Sequence, residues 1–100
     1  MSESLEVVVE PNPDLRRYEA WVDGALAGFS EYRMRGTDTF VFTHTQVETA
    51  FEGHGVASRL IRGALDDVRR KGGSVVARCP FVAEFIREHP EYADLQEELR

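Results

Sequence analysis

The feature that most constrains this chain is a change of hydrophobic period between Val47 and Gly55, reversed after Gly73. From Thr39 to Val47 the residues alternate as in a strand, predicting Phe40, Phe42 and His44 on one face and Val41, Thr43 and Thr45 on the other. From Gly55 to Lys71 the repeat becomes helical. Val56, Ala57, Leu60, Ile61, Ala64, Leu65 and Val68 recur on one face, with Arg59, Arg62, Asp66 and Arg69 opposite. Gly72-Gly73 supplies the left-handed residue that ends such a helix. Ser74 to Cys79 then reads as a strand whose Val75-Val76-Ala77 run suits burial on both faces. A strand, a helix and a strand in this order form a crossover, which leaves the two strands parallel and is right-handed in nearly every case.

The flanking segments complete the sheet. Leu5 to Glu10 is rich in β-branched residues and reads as a first strand, stopped by Pro11-Asn12-Pro13-Asp14. Arg16 to Val22 and Ala25 to Met34 read as a hairpin about the turn Asp23-Gly24, and Arg35-Gly36-Thr37-Asp38 turns the chain into the fourth strand. Pro80 closes the fifth strand. Phe81 to Glu88 reads as a short helix, and Glu91 to Leu99 as another beyond Pro90. The predicted fold is therefore α/β of the α+β kind: one domain over residues 1–100, with a mostly antiparallel sheet of about five strands, one crossover and C-terminal helices.

Composition bounds the partners. At 100 residues, 42% hydrophobic and 30% charged, the chain reads as one globular domain rather than a disordered segment. A formal charge of −6 argues against nucleic acid as a partner and leans mildly toward cations such as amines. No apolar run predicts a membrane span, and Met1-Ser2-Glu3-Ser4 lacks the basic start of a secretory signal. A single cysteine cannot form an internal disulfide, so the cytoplasm is the expected compartment. No metal is expected.

The crossover also places the chemistry. Loops leaving the carboxyl ends of parallel strands share one edge of the sheet, where such folds bind ligands. The loop Gly53-His54-Gly55-Val56-Ala57-Ser58 leaves the fourth strand and opens the long helix. Its glycines let a ligand approach the backbone, and the first helical turn offers unpaired N–H groups at the positive end of the dipole. Ser58 adds a hydroxyl, and Arg59 is the helix cation best placed to meet a phosphate. A flexible strand-to-helix turn explains the glycines equally well. The loop is neither a dinucleotide fingerprint, which needs a third glycine, nor a Walker loop, which needs a lysine after the second. Cys79 ends the fifth strand near the same edge. Its reading is divided between a small core side chain and a reactive thiol. His44 is read either as a core histidine or as the base that pairs with Cys79.

The segment Phe51-Glu52-Gly53-His54-Gly55-Val56-Ala57-Ser58-Arg59-Leu60 resembles the acetyl-CoA-binding segment of the GNAT acetyltransferases. Gly55 and Ala57 stand at its last two conserved places, and Glu52 stands where Gln or Arg is usual. Four blocks resemble a narrower group, the compact single-domain GNAT-like proteins that carry a cysteine. They are Thr43-His44-Thr45, Phe51-Glu52-Gly53-His54-Gly55, Cys79-Pro80-Phe81-Val82 and His89-Pro90-Glu91-Tyr92. The resemblance implies strands four and five splayed around coenzyme A, with its pyrophosphate on the amides of Gly53, His54, Gly55, Val56, Ala57 and Ser58. It implies an acetyl thioester near Cys79 and His44, with the strand-four amides of Thr45, Gln46 and Val47 receiving the oxyanion. Acetyl would pass to an unidentified amine, small or macromolecular, in the first place through an acetyl-Cys79 formed with the help of His44, and in the second place by direct transfer. A non-catalytic coenzyme A-binding or interaction module is the alternative. Tyr92 is read as an anchor for the tail rather than as a proton donor, and His89 as a helix-end residue.

Overall fold

The computed structural model describes residues 5–97. Five strands lie in the order of the chain: β1 (Val8–Asn12), β2 (Arg17–Val22), β3 (Ala25–Arg35), β4 (Thr39–Val47) and β5 (Ser74–Ala77). Every pairing is antiparallel except β4 with β5, which the crossover helix α1 (Val56–Arg70) makes parallel. A 3-10 turn, Thr49–Phe51, precedes the glycine loop. Helix α2 (Pro80–Glu88) and a 3-10 helix, Pro90–Leu95, follow β5.

Several boundaries differ from the expectations, β1 beginning at Val8 rather than Leu5 among them, and three of the differences have a local reason. β1 runs through Pro11, paired opposite Tyr18, because an edge strand tolerates a residue without an N–H. β5 stops at Ala77 rather than Cys79. Beyond it, the N–H groups of Arg78 and Cys79 both donate to the Phe42 carbonyl, at 3.0 and 2.9 Å, so the ladder ends in one shared acceptor. The last helix is a short 3-10 segment, because Gln96 bridges to Val75 and the Glu97 N–H donates to the Val75 carbonyl at 2.8 Å. That hold turns the chain along the free edge of β5. Leu99 lies outside the described residues.

Both helices and the 3-10 tail cover one face of the sheet. α1 buries Val56, Leu60, Ile61, Ala64, Leu65 and Val68 against Tyr18, Tyr32, Phe40, Phe42 and Val75. α2 adds Val82, Phe85 and Ile86 to the same core. Tyr18 donates to Asp67 Oδ2 of α1 at 2.7 Å. Burial pushes the Tyr18 hydroxyl well above its usual range, and its bond to Asp67 adds to the rise. Among the described elements no helix covers the opposite face. There the Arg17 guanidinium lies 4.5 Å from the centre of the Phe29 ring, and Glu19 accepts from Asn12, Arg17 and Trp21.

Candidate active site

The Phe42 carbonyl marks the place where the sheet opens. Four residue pairs, Thr39–Ser74 to Phe42–Ala77, join β4 to β5, and past Phe42 the outer edge of β4 has no strand beside it. At that same point β4 bulges. Phe42 faces Tyr32 and His44 faces Glu31, so Thr43 is an inserted residue, with its hydroxyl 3.4 Å from the Glu31 carbonyl. One inserted residue reverses the inward and outward alternation. Thr45 therefore joins Phe40 and Phe42 on the helix-covered face, opposite Ser30, and His44 turns to the open face with Gln46. The expected placement of His44 beside Phe40 and Phe42 is overturned by this bulge.

Cys79 sits in the wedge between the parting strands, immediately before α2, and is only 4% exposed. Its thiol donates to Thr45 Oγ1 at 3.4 Å, and Thr45 Oγ1 is 2.9 Å from Ser30 Oγ. Thiol, threonine and serine form one chain of hydrogen bonds. His44 is exposed, with Nε2 at 3.3 Å from Gln46 Oε1 and its ring 6.2 Å from that of Phe29. The structure does not bring Cys79 and His44 together: they lie on opposite faces of β4, and the thiol's partner is a hydroxyl.

A cleft of about 270 Å³ opens where β4 ends. Val47, Phe51 and Glu52 form one wall, the loop at Gly53 and Gly55 with the first turn of α1 at Val56, Ala57 and Ser58 forms another, and Phe81 of α2 forms a third. Gly55 caps α1 in a left-handed conformation at φ 75°, with no side chain capping the helix. The first α1 bond runs from the Arg59 N–H to the Gly55 carbonyl, at 3.2 Å. None of the N–H groups from Gly53 to Ser58 makes a hydrogen bond to a described residue. A row of unpaired donors at the positive end of a 15-residue helix suits an anion, while the Glu52 carboxylate, which also lines the cleft, opposes one.

Not every expected residue lines that cleft. Val47 does, whereas Thr45 and Gln46 precede it on opposite faces of β4. His54 is exposed on the loop, outside the lining set. Arg59 turns away to donate to the Leu5 carbonyl. Its partner lies 54 positions away in the chain, beyond the reach of helical spacing.

A family model for GCN5-related N-acetyl-transferase matches residues 17–95. The chain belongs to that family. Protein NATD1 of Xenopus tropicalis is 26% identical over 91 residues, covering 90% of this chain and 84% of that protein. The solution NMR structure of a GCN5-like protein from Staphylococcus aureus matches with a TM-score of 0.67 at 18% identity, over 99% of this chain and 94% of that one. An aminoglycoside N-acetyltransferase solved in complex with CoA matches at TM-score 0.50 and 21% identity, over 84% of this chain and 60% of that one. At those identities the two solved structures speak for the fold.

In this acetyltransferase Tyr92 anchors the tail. Its hydroxyl donates to Asp66 Oδ1 at 2.7 Å and accepts from Arg62 Nη1 at 3.2 Å. Burial, and then the Asp66 carboxylate, push the hydroxyl above its usual range. On α1, Asp67 pairs with Lys71 at 3.0 Å, and Arg62 reaches Glu91 at 3.6 Å. His89 Nδ1 lies 2.8 Å from the Phe85 carbonyl, as befits a helix-end residue. The sequence reading missed Phe81, 38% exposed at the start of α2 and a wall of the cleft. An aromatic just inside a helix that begins with proline was the available signal. It also missed Thr45 as the partner of the thiol and Ser30 as the partner of Thr45; two small polar residues on separate strands give no signal until the register is known.

Proposed function

We propose that this protein binds acetyl-CoA in the Gly53–Ser58 cleft and transfers the acetyl group directly to an amine. The single observation that carries the reading is the run of unpaired amides from Gly53 to Ser58, opening on a cleft at the end of β4. Those amides suit a pyrophosphate. No described arginine or lysine lines the cleft, so backbone donors bear the recognition. The uncovered edge of β4 beyond Phe42 offers amides to the thioester oxygen, where charge develops as an amine adds.

On this reading the two sides of the sheet divide the work. The donor enters on the helix-covered side, beside Cys79 and Thr45. The acceptor approaches from the open side, where His44 is exposed. The amine lone pair forms a C–N bond with the acetyl carbonyl carbon and the C–S bond breaks. His44 takes the proton from the nitrogen, and the departing coenzyme A thiolate is reprotonated from solvent. Cys79 lines the path without forming a bond.

Saturating acetyl-CoA should raise the melting temperature, by an amount equivalent to about 2.7 kcal/mol at one hundred times Kd. No rise would sink the cofactor reading. Intact-mass measurement after mixing with acetyl-CoA alone should give no acetyl adduct, and Cys79→Ala should still turn over. An adduct that disappears in Cys79→Ala would replace direct transfer by an acetyl-cysteine route.

A further inference from the structure

The open face carries a second cavity that acetyl-CoA binding does not use. It holds about 340 Å³ and is lined by Arg33, Met34, Arg35, Val41, Thr43 and Arg78. Arg33 and Arg35 are alternate residues of β3 and project to the same face, and Arg78 comes from the end of β5. Arg35 is paired with Glu97 at 3.1 Å. Arg33 and Arg78 have no carboxylate partner among the described residues, although the chain carries a net charge of −6. Most arginines of the described chain have found an acid. Two that have not stand at one cavity, beside the hydroxyl of Thr43.

Its location ties the cavity to the parting of the strands. Thr43 is the inserted residue of the β4 bulge, and Arg78 donates its N–H to the Phe42 carbonyl where the strands separate. Arg78 is exposed and the next residue, Cys79, is buried, so the two project to opposite sides of the same wedge. Glu31, cross-strand neighbour of His44, lies two residues along β3 from Arg33, about 7 Å at ordinary strand rise. The open face thus offers guanidinium groups to an anion and, a short step away, a carboxylate and an imidazole to an ammonium group.

We infer that the Arg33–Arg78 cavity is the acceptor subsite, and that the preferred acceptor is a short amine carrying a carboxylate or phosphate. This rests on the acetyl-transfer reading, so the test separates the two. Three amines of matched length serve as probes: ethanolamine, β-alanine and O-phosphoethanolamine. Charge-assisted bonds to two guanidinium groups should make one or both anionic amines better acceptors by about tenfold or more in kcat/KM. The β-alanine and O-phosphoethanolamine arms tell carboxylate from phosphate. In Arg33→Gln/Arg78→Gln that preference should collapse toward unity, while Arg70→Gln/Arg87→Gln, which removes the same two charges from exposed residues outside the cavity, should keep it. Equal rates in the wild type, or a preference surviving in the double variant, would overturn the proposal.

A readout without turnover covers an acceptor outside this panel. Inorganic phosphate and acetate titrated into the protein should shift the amide resonances of Thr43 and Arg78 in the wild type and not in the double variant. Shifts confined to Gly53–Ser58, or none, would overturn the subsite. The melting-temperature response to acetyl-CoA should persist in the double variant. If it is missing from the wild type, the acetyl-transfer reading has failed instead.

Discussion

Gly55 and Gly72 form a matched pair that separates the proposed cofactor site from the fold. Both adopt a left-handed conformation, at φ 75° and 73°, and a Cβ built on either meets nothing within 4 Å. One sits at the start of α1 in the cleft and the other just past its end. Alanine at either position pays the left-handed penalty of about 1–2 kcal/mol, less roughly 0.4–1 kcal/mol from stiffening the unfolded chain. A net loss of about 1 kcal/mol corresponds to roughly 4–8 °C for a domain of this size. Differential scanning fluorimetry without ligand should therefore find Gly55→Ala and Gly72→Ala similarly weakened. With acetyl-CoA at one hundred times the wild-type Kd, wild type and Gly72→Ala should each gain about 2.7 kcal/mol, or roughly 11–22 °C. In Gly55→Ala the added methyl, or the backbone shift that avoids the strain, spoils the alignment of the amides from Val56 to Ser58. A hundredfold loss of affinity would leave a gain of only about 0.4 kcal/mol, roughly 2–3 °C. A full response in Gly55→Ala would refute the view that these amides hold the ligand, and a response lost in both would show that strain alone abolishes binding.

Three further outcomes follow from packing and charge. Gly63→Ala places a Cβ 2.8–2.9 Å from the side-chain carbons of Val9, and should cost about 1–3 kcal/mol in denaturant melts. Adding Val9→Ala should recover part of that loss, and strict additivity of the two losses would argue against the contact. Tyr92→Phe removes bonds to Asp66 and Arg62 and should cost about 1–2 kcal/mol while kcat stays within twofold; a large fall in kcat would make Tyr92 a proton donor after all. Burial raises the carboxyl of Asp67, but bonds from Tyr18, Lys71 and Arg70 outweigh it and hold the group below its usual range. A depressed acid contributes stability above its unfolded value, about 3.9, and loses it as pH falls through the lower folded value. Asp67→Asn should thus be less stable at pH 7 and lose less stability below pH ~4 than wild type; parallel curves would assign the acid sensitivity elsewhere.

Much of the fold was legible because the chain changes period where it changes structure. Val56 to Val68 on one helical face, Gly72-Gly73 behind it and Val75-Val76 beyond leave little choice but a crossover. What the sequence withheld was the course of β4. Thr39 to Phe42 has contrast enough to show its parity, but Thr43-His44-Thr45 is polar throughout and carries no mark of an inserted residue. The bulge became visible only in the pairing of Phe42 with Tyr32 and His44 with Glu31. Arg78 and Cys79 likewise read as two more strand residues, and only their shared acceptor ends β5 before them.

The bulge and the parting of the strands are one event, and it organises the site. Phe42 is the last residue of β4 paired with β5, and its carbonyl, by taking both N–H groups, leaves the next β4 carbonyls without donors from that strand. The inserted Thr43 follows at once. Had β4 kept its alternation, His44 would face the core beside the thiol and Thr45 would face solvent. With the insertion, Thr45 meets Cys79 inside, and His44 stands outside near Glu31 and the Arg33–Arg78 cavity. On the proposed reading, one extra residue separates a donor side from an acceptor side in a chain of 100 residues. Deleting Thr43 should restore the alternation and bury His44. If the protein folds, its His44 ring should lose its reactivity toward diethyl pyrocarbonate; unchanged labelling by mass spectrometry would show that the bulge does not set the face on which His44 lies.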